Sequence, residues 1–235
     1  MIICLSRGFV FIHIHKAGGT SMEAALEPRL QWNDLLLGST RFGQIIDGHY
    51  RQRFGLSKHS ALADVERVCG ADLLRGMYAF ALVRHPAARI CSLYNFTARV
   101  LDTWSRSHGI PVEEARARRA ELAPAHEQLR WETSRAFLET EDFGGFLRHP
   151  ATRKSIACRT QLSRLRGASG TAEAFRLEEI EQRLPEIGGR LGCDIVLPHL
   201  NVTERKLVTP AALPEPDRAV IRDWFREDFE AFGYD

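Results

Sequence analysis

A chain of 235 residues, 44% apolar and 26% charged, can bury a sizeable core as one large domain, with room for a helical insertion. Its 32 basic residues face 30 acidic ones, a net charge of +2 that excludes a general nucleic-acid footprint and leaves any anion site to local clustering. The five cysteines (Cys4, Cys69, Cys91, Cys158, Cys193) are scattered, odd in number and without a CxxC pair. This argues against a disulfide framework or a zinc site and for thiols in a reducing, cytoplasmic setting. No apolar run approaches the roughly 20 residues of a membrane span, and no basic region followed by an apolar one opens the chain.

In chain order, residues 9–15 (FVFIHIH) form a short apolar, β-branched run, as expected of a buried strand. A glycine turn follows, and residues 21–30 read as a helix with Thr20 or Ser21 as its cap. Residues 57–69 read as a helix, with Ser57 and Ser60 as cap candidates and Leu62, Val65 and Val68 at helical spacing. YAFALV, residues 78–83, has the pattern of a central parallel strand. Pro86 stands where a helix begins. Between about residues 103 and 129 the composition turns to Arg, Glu and Ala, and EEARARRAEL reads as a solvated helical face because its charges alternate in sign. RAFLETEDFGGFLRHP reads as a helix and turn, 177–191 as a helix ending at Gly192, and 194–197 as a short strand. The tail reads as one amphipathic helix carrying Ile221, Trp224, Phe225, Phe229 and Phe232. Strands alternating with helices predict an α/β fold with a parallel sheet.

The chemistry concentrates at two strand ends. Residues 15–21, HKAGGTS, combine a lysine, two glycines and two hydroxyls at the carboxyl end of the first strand. Glycines let a backbone wrap closely around an oxyanion, and the amides of the following helix start point at it. Lys16 adds a point charge, and it is one of only four lysines in the chain. A plain glycine turn whose Thr20 and Ser21 cap a helix is the alternative. Neither GxxxxGK[ST] nor GxGxxG is present, which disfavours an ordinary nucleotide triphosphatase loop and a dinucleotide site. After the second strand comes VRHPAARICSLY. There Arg84 ends the strand and Ser92 lies about two helical turns further on, a guanidinium and a hydroxyl suited to a second phosphate.

FIHIHKAGGTS resembles the 5′-phosphosulfate loop of sulfotransferases, and VRHPAARICSLY resembles their 3′-phosphate loop. The resemblance is to the branch with the uronyl 2-O-sulfotransferases, the carbohydrate sulfotransferases and their bacterial relatives. IDGHY near residue 49 resembles a Gly-His element of that branch, RTQLSRLRG a central Gln-containing segment, and LPHLNVTERK with REDFEAFGYD the C-terminal region. Where those loops usually carry proline before the lysine, this chain has His15. The Arg-rich middle segment matches nothing assignable, in a region that commonly shapes the acceptor site.

The resemblance implies a P-loop-NTPase-like three-layer α/β fold with a central parallel sheet, as a single domain over residues 1–235 with a helical insertion at about 103–150. It implies 3′-phosphoadenosine 5′-phosphosulfate (PAPS) as donor, its bisphosphate PAP as product, no metal, and a hydroxyl-bearing small molecule or saccharide as acceptor. Lys16, Ala17, Gly18, Gly19, Thr20 and Ser21 would hold the 5′-phosphosulfate, Arg84 and Ser92 the 3′-phosphate, with Arg205 and Lys206 closing over the nucleotide. Lys16 would be catalytic, and His49 would be the general base, with Asp47 orienting it; His13 is expected to pack inside. A nucleotide-dependent kinase of related fold and a non-catalytic nucleotide-binding module are the other readings. Neither a membrane span nor nucleic acid is expected, and the oligomeric state stays open.

Overall fold

The computed structural model describes residues 1–198, 200 and 206–235. Contacts divide the chain into two compact units. The first comprises residues 1–85, 160–202 and 227–235; the second comprises 86–159 and 203–226.

The first unit is built on a five-stranded sheet. Its strands are β1 (Ile2–Cys4), β2 (Phe9–Ile12), β3 (Leu35–Leu36) and β4 (Tyr78–Val83), with β7 (Glu173–Arg176) after a small hairpin of β5 (Arg166–Gly167) and β6 (Gly170–Thr171). The spatial order is β3-β1-β2-β4-β7. β2, β4 and β7 run parallel, with Ile12 opposite Ala81 and Leu82 opposite Phe175, while β1 pairs antiparallel with both β2 and β3. The expected parallel sheet is therefore a parallel trio extended by an antiparallel pair.

Alternation along the strands explains why the sheet is covered on both faces. Val10, Ile12, Ala81 and Val83 enter one apolar cluster, with Leu62 and Val65 of α3 (Leu62–Cys69), Leu74 of α4 (Ala71–Arg75) and Leu165 of α12 (Gln161–Leu165). Phe9, Phe11, Phe80 and Leu82 enter another, with Met22 and Leu26 of α1 (Gly19–Leu26) and Ile187 and Leu191 of α13 (Ile180–Leu191). β2 and β4 thus end side by side, so the loops leaving their carboxyl ends are neighbours, the position where open α/β sheets collect ligands.

Several local expectations are corrected. The first strand stops at Ile12 rather than residue 15, and the second predicted helix starts at Leu62, with Ala61 as its cap residue. Its first turn is held by Asp64, which accepts from Ala61 N–H at 2.8 Å, while Ser60 Oγ accepts from Ser57 N–H at 2.9 Å in the turn before. Residues 194–197 form no strand. The tail is two helices, α14 (Glu215–Trp224) and α15 (Arg226–Phe232), broken at Phe225, whose backbone (φ −109°, ψ 26°) leaves the helical region.

Among the described residues, the regular elements of the second unit are all helical. Its longest element, α5 (Pro86–His108), starts at the expected proline. Short helices follow, among them α6 (Val112–Ala117), α7 (Arg119–Leu122), α9 (Glu132–Leu138) and α10 (Phe143–Arg148). Leu101, Trp104, Ala115, Leu129 and Leu138 share its apolar core. No helix among the described residues is long and apolar enough to cross a membrane.

Candidate active site

The loop after β2 has an unusual backbone. Lys16 adopts φ 62°, the left-handed region that costs an L-residue about 1–2 kcal/mol. It is the one non-glycine residue with positive φ among the described residues. Gly18, at φ 81°, is the cap residue of α1, which begins at Gly19. The helix therefore starts two residues earlier than expected, and neither Thr20 nor Ser21 caps it; both lie in its first turn. A left-handed glycine can turn the chain into the helix without a side-chain acceptor, which leaves these hydroxyls on the turn. The leading amides of a helix, here Gly18, Gly19 and Thr20, have no acceptor within it, and they sit at its positive end. Lys16, Ala17, Gly18, Gly19, Thr20 and Ser21 are thus brought together around one helix start.

Buried polar groups fix this turn from beneath. His13 is 4% exposed, and its Nδ1 lies 2.6 Å from Glu23 Oε1. Burial, outweighing the carboxylate beside it, lowers the His13 pKa to about 4, so the ring is neutral at pH 7 and donates Nδ1–H. Burial alone would raise the Glu23 pKa, but His13, the Met1 amino group and their hydrogen bonds hold it well below the carboxylate range. Ser39 adds its N–H, at 3.3 Å, and its hydroxyl. The His13 ring packs against the start of α1: a Cβ on Gly19 would lie 2.4 Å from it, so only glycine fits. Likewise a Cβ on Gly18 would lie 2.6 Å from the Leu177 side chain. His13 thus packs inside, as its alternation on the strand predicts.

The neighbouring loop is tied to this one. Arg84 follows β4, and its Nη1 donates to the Lys16 carbonyl at 3.4 Å. Its own backbone is clamped by the fully buried Gln161: Arg84 N–H donates to Gln161 Oε1 and Gln161 Nε2 donates to the Arg84 carbonyl, each at 2.9 Å. Asp228, also fully buried, accepts Gln161 N–H and Leu162 N–H, each at 2.9 Å. Gln161 stands in the RTQLSRLRG segment; Asp228 and Glu23 carry no spacing signal that sequence reasoning could have used.

The other expected residues fall elsewhere. His49 is exposed on α2 (Arg41–Phe54), in the first unit. No hydrogen bond, ion pair or ring contact among the described residues ties it to the Lys16 loop. Asp47 does not face it, because two residues along a helix turn through about 200°; Asp47 instead accepts Lys58 N–H at 2.6 Å. Ser92, half-buried on α5, and the exposed Lys206 belong to the second unit. Arg205 lies outside the described residues. In the Arg-rich segment, Arg118 pairs with Glu114 and Glu121, Arg119 with Glu139, and Arg116 donates to the carbonyls of Leu138 and Thr140. Arg118 and Arg119 are thus ion-paired within the unit, and Arg116 is held by backbone carbonyls. No group of three His, Cys, Asp or Glu side chains among the described residues is placed to hold a metal ion.

A strand–turn–helix unit with a left-handed lysine in its turn is thus cross-linked to an arginine at the end of the adjacent parallel strand. The model of the Sulfotransferase family matches residues 1–235, and the chain belongs to that family. No curated protein and no solved structure matches it.

Proposed function

We propose that this protein is a PAPS-dependent sulfotransferase of P-loop-like fold that sulfates a hydroxyl of a saccharide or other hydroxyl-bearing acceptor, within the branch of the uronyl 2-O- and carbohydrate sulfotransferases. A cytoplasmic setting belongs to the same reading. The observation that carries it is the placement of Lys16: a strained, left-handed lysine directly ahead of a glycine-started helix, linked through its carbonyl to Arg84. Backbone strain of this kind persists where function requires the geometry.

The donor supplies an activated sulfuryl group. The amides of Gly18, Gly19 and Thr20 hold its 5′-phosphate, with the Thr20 and Ser21 hydroxyls as further donors. Lys16 stabilises the charge that grows on the phosphate oxygen as its bond to sulfur breaks and the acceptor oxygen bonds to sulfur. Arg84 and Ser92 take the 3′-phosphate, the group that separates this donor from ATP, while Arg205 and Lys206 close over the nucleotide. His49 accepts the acceptor's proton. Its exposure on α2 leaves it open to a bulky acceptor.

Thermal-shift titration with PAP, PAPS, ATP and NAD tests the donor. Stabilisation by PAP and PAPS is expected, and stabilisation by ATP but not PAP overturns the reading. A labelled-sulfate transfer screen over saccharides and small alcohols then identifies the acceptor. His49→Ala should lower transfer about 100-fold or more while leaving PAP binding intact; transfer near the wild-type rate would remove His49 as the base.

A further inference from the structure

The residue before Lys16 explains how the strained loop is held. The His15 ring lies face to face on His59, with centroids 3.4 Å apart and planes 21° from parallel. His59 is itself a fixed post. Its Nδ1 lies 3.0 Å from the His13 carbonyl and donates to it, so the tautomer is set. Its ring meets the edge of His13 at 4.7 Å and 79°. Its own carbonyl accepts from Arg164. Burial, with His15 and His13 alongside, keeps its pKa well below the ordinary histidine value, so the stack at neutral pH presents a neutral imidazole at residue 59.

We infer that His59 is a positioning residue: by stacking on His15 it holds Lys16 in the left-handed conformation that aims the loop at its ligand. A left-handed non-glycine residue relaxes unless its surroundings over-determine it. Arg84 donates to the Lys16 carbonyl, and Ala17 N–H closes a turn onto Ile14 O at 3.4 Å. The His15–His59 stack anchors the residue before Lys16. A ring contact at residue 15 does here what a cyclic residue would do there by restricting the backbone. His59 lies more than forty residues from the loop in sequence, in SKHS, with no motif spacing to mark it.

The consequence for transfer rests on the sulfotransferase reading; the consequence for the loop does not. The test uses the whole protein and four variants: His59→Ala, His59→Phe, His15→Pro, and His15→Pro with His59→Ala. Hydrogen exchange of the amides of residues 16–19 in the ligand-free protein is the first readout. His59→Ala should speed it about tenfold or more; His59→Phe, which keeps a flat ring against His15, and the double variant should stay within about threefold of their parents. Steady-state transfer is the second readout. His59→Ala should cut kcat about 10- to 100-fold, the scale of a misplaced group, with KM for PAPS and PAP affinity moving less than about threefold. The proline should remove most of that loss. An equal kcat loss from His59→Ala with and without proline at 15 overturns the inference, since His59 would then act directly on the substrate. So does a His59→Phe loss as large as that of alanine, or unchanged exchange at residues 16–19. If wild-type protein fails to bind PAP, the functional reading falls and the exchange data alone decide the role of His59.

Discussion

Lowering the pH from 7 to 5 protonates His13 in the unfolded chain and leaves it neutral in the folded one. The unfolded value is 6.5 and the folded value about 4, with burial as the leading cause. Because the folded pKa is depressed, the stability tied to the neutral ring is present above pH 6.5 and is lost as the pH falls towards 4. Between pH 7 and 5 the difference in bound protons costs about 2 kcal/mol. His59, depressed in the same direction, adds to the loss. Urea titrations at pH 7 and pH 5, followed by tryptophan fluorescence, read this as a fall in the unfolding midpoint. His13→Asn keeps an N–H near Glu23 but cannot titrate. It should be less stable at pH 7, yet lose about 2 kcal/mol less than wild type on acidification. Equal acid losses in the two proteins would show that His13 is accessible to protons in the folded state, and the account of a dry Glu23–His13 support beneath the loop would fail.

Lys16→Gly removes both the charge and the left-handed strain. It should raise the unfolding free energy by up to about 1 kcal/mol and abolish measurable sulfate transfer; a variant less stable than wild type contradicts the strain. Gly19→Ala places a methyl group against the His13 ring. It should cost about 1–3 kcal/mol in urea titration and shrink the thermal shift produced by PAP, and an unchanged melting curve would contradict the packing.

What the sequence made legible was local. The continuous apolar runs FVFI and YAFALV placed β2 and β4, Pro86 placed the start of α5, and the glycines placed the turn after β2, because each is a short-range steric or burial rule. The boundaries slipped where a residue's role depended on context. Gly18 took the cap that Thr20 or Ser21 could equally have filled, and Phe225 broke a tail whose apolar spacing read as one helix. The supports of the site were the least legible. Glu23 reads as a helix-surface carboxylate and His59 as a loop histidine until the fold brings them under the turn. His49, chosen from the Gly-His element, is exposed on α2, and the histidines that meet at the loop are His13, His15 and His59.

Asp228 shows how a buried carboxylate far along the chain supports the backbone of Arg84 through Gln161. It is fully buried and accepts from Gln161 N–H, Leu162 N–H and, at 3.4 Å, Gln161 Nε2. Gln161 in turn grips both backbone polar groups of Arg84. A buried carboxylate is costly unless its oxygens are hydrogen-bonded, and here two backbone amides and a side-chain amide donate to them. Asp228→Asn turns one acceptor oxygen into a donor facing an amide. The cost is that of an unsatisfied buried group, about 1–3 kcal/mol in urea titration. The same change loosens Gln161 and frees the Arg84 backbone to shift. If Arg84 reads the 3′-phosphate, affinity for PAP should fall by about tenfold, while affinity for adenosine 5′-phosphate, which lacks that group, should barely change. Calorimetric titration with both nucleotides measures the ratio. A parallel loss for the two, which leaves their ratio at the wild-type value, would place the effect of Asp228 on the fold at large and not on recognition of the 3′-phosphate through Arg84.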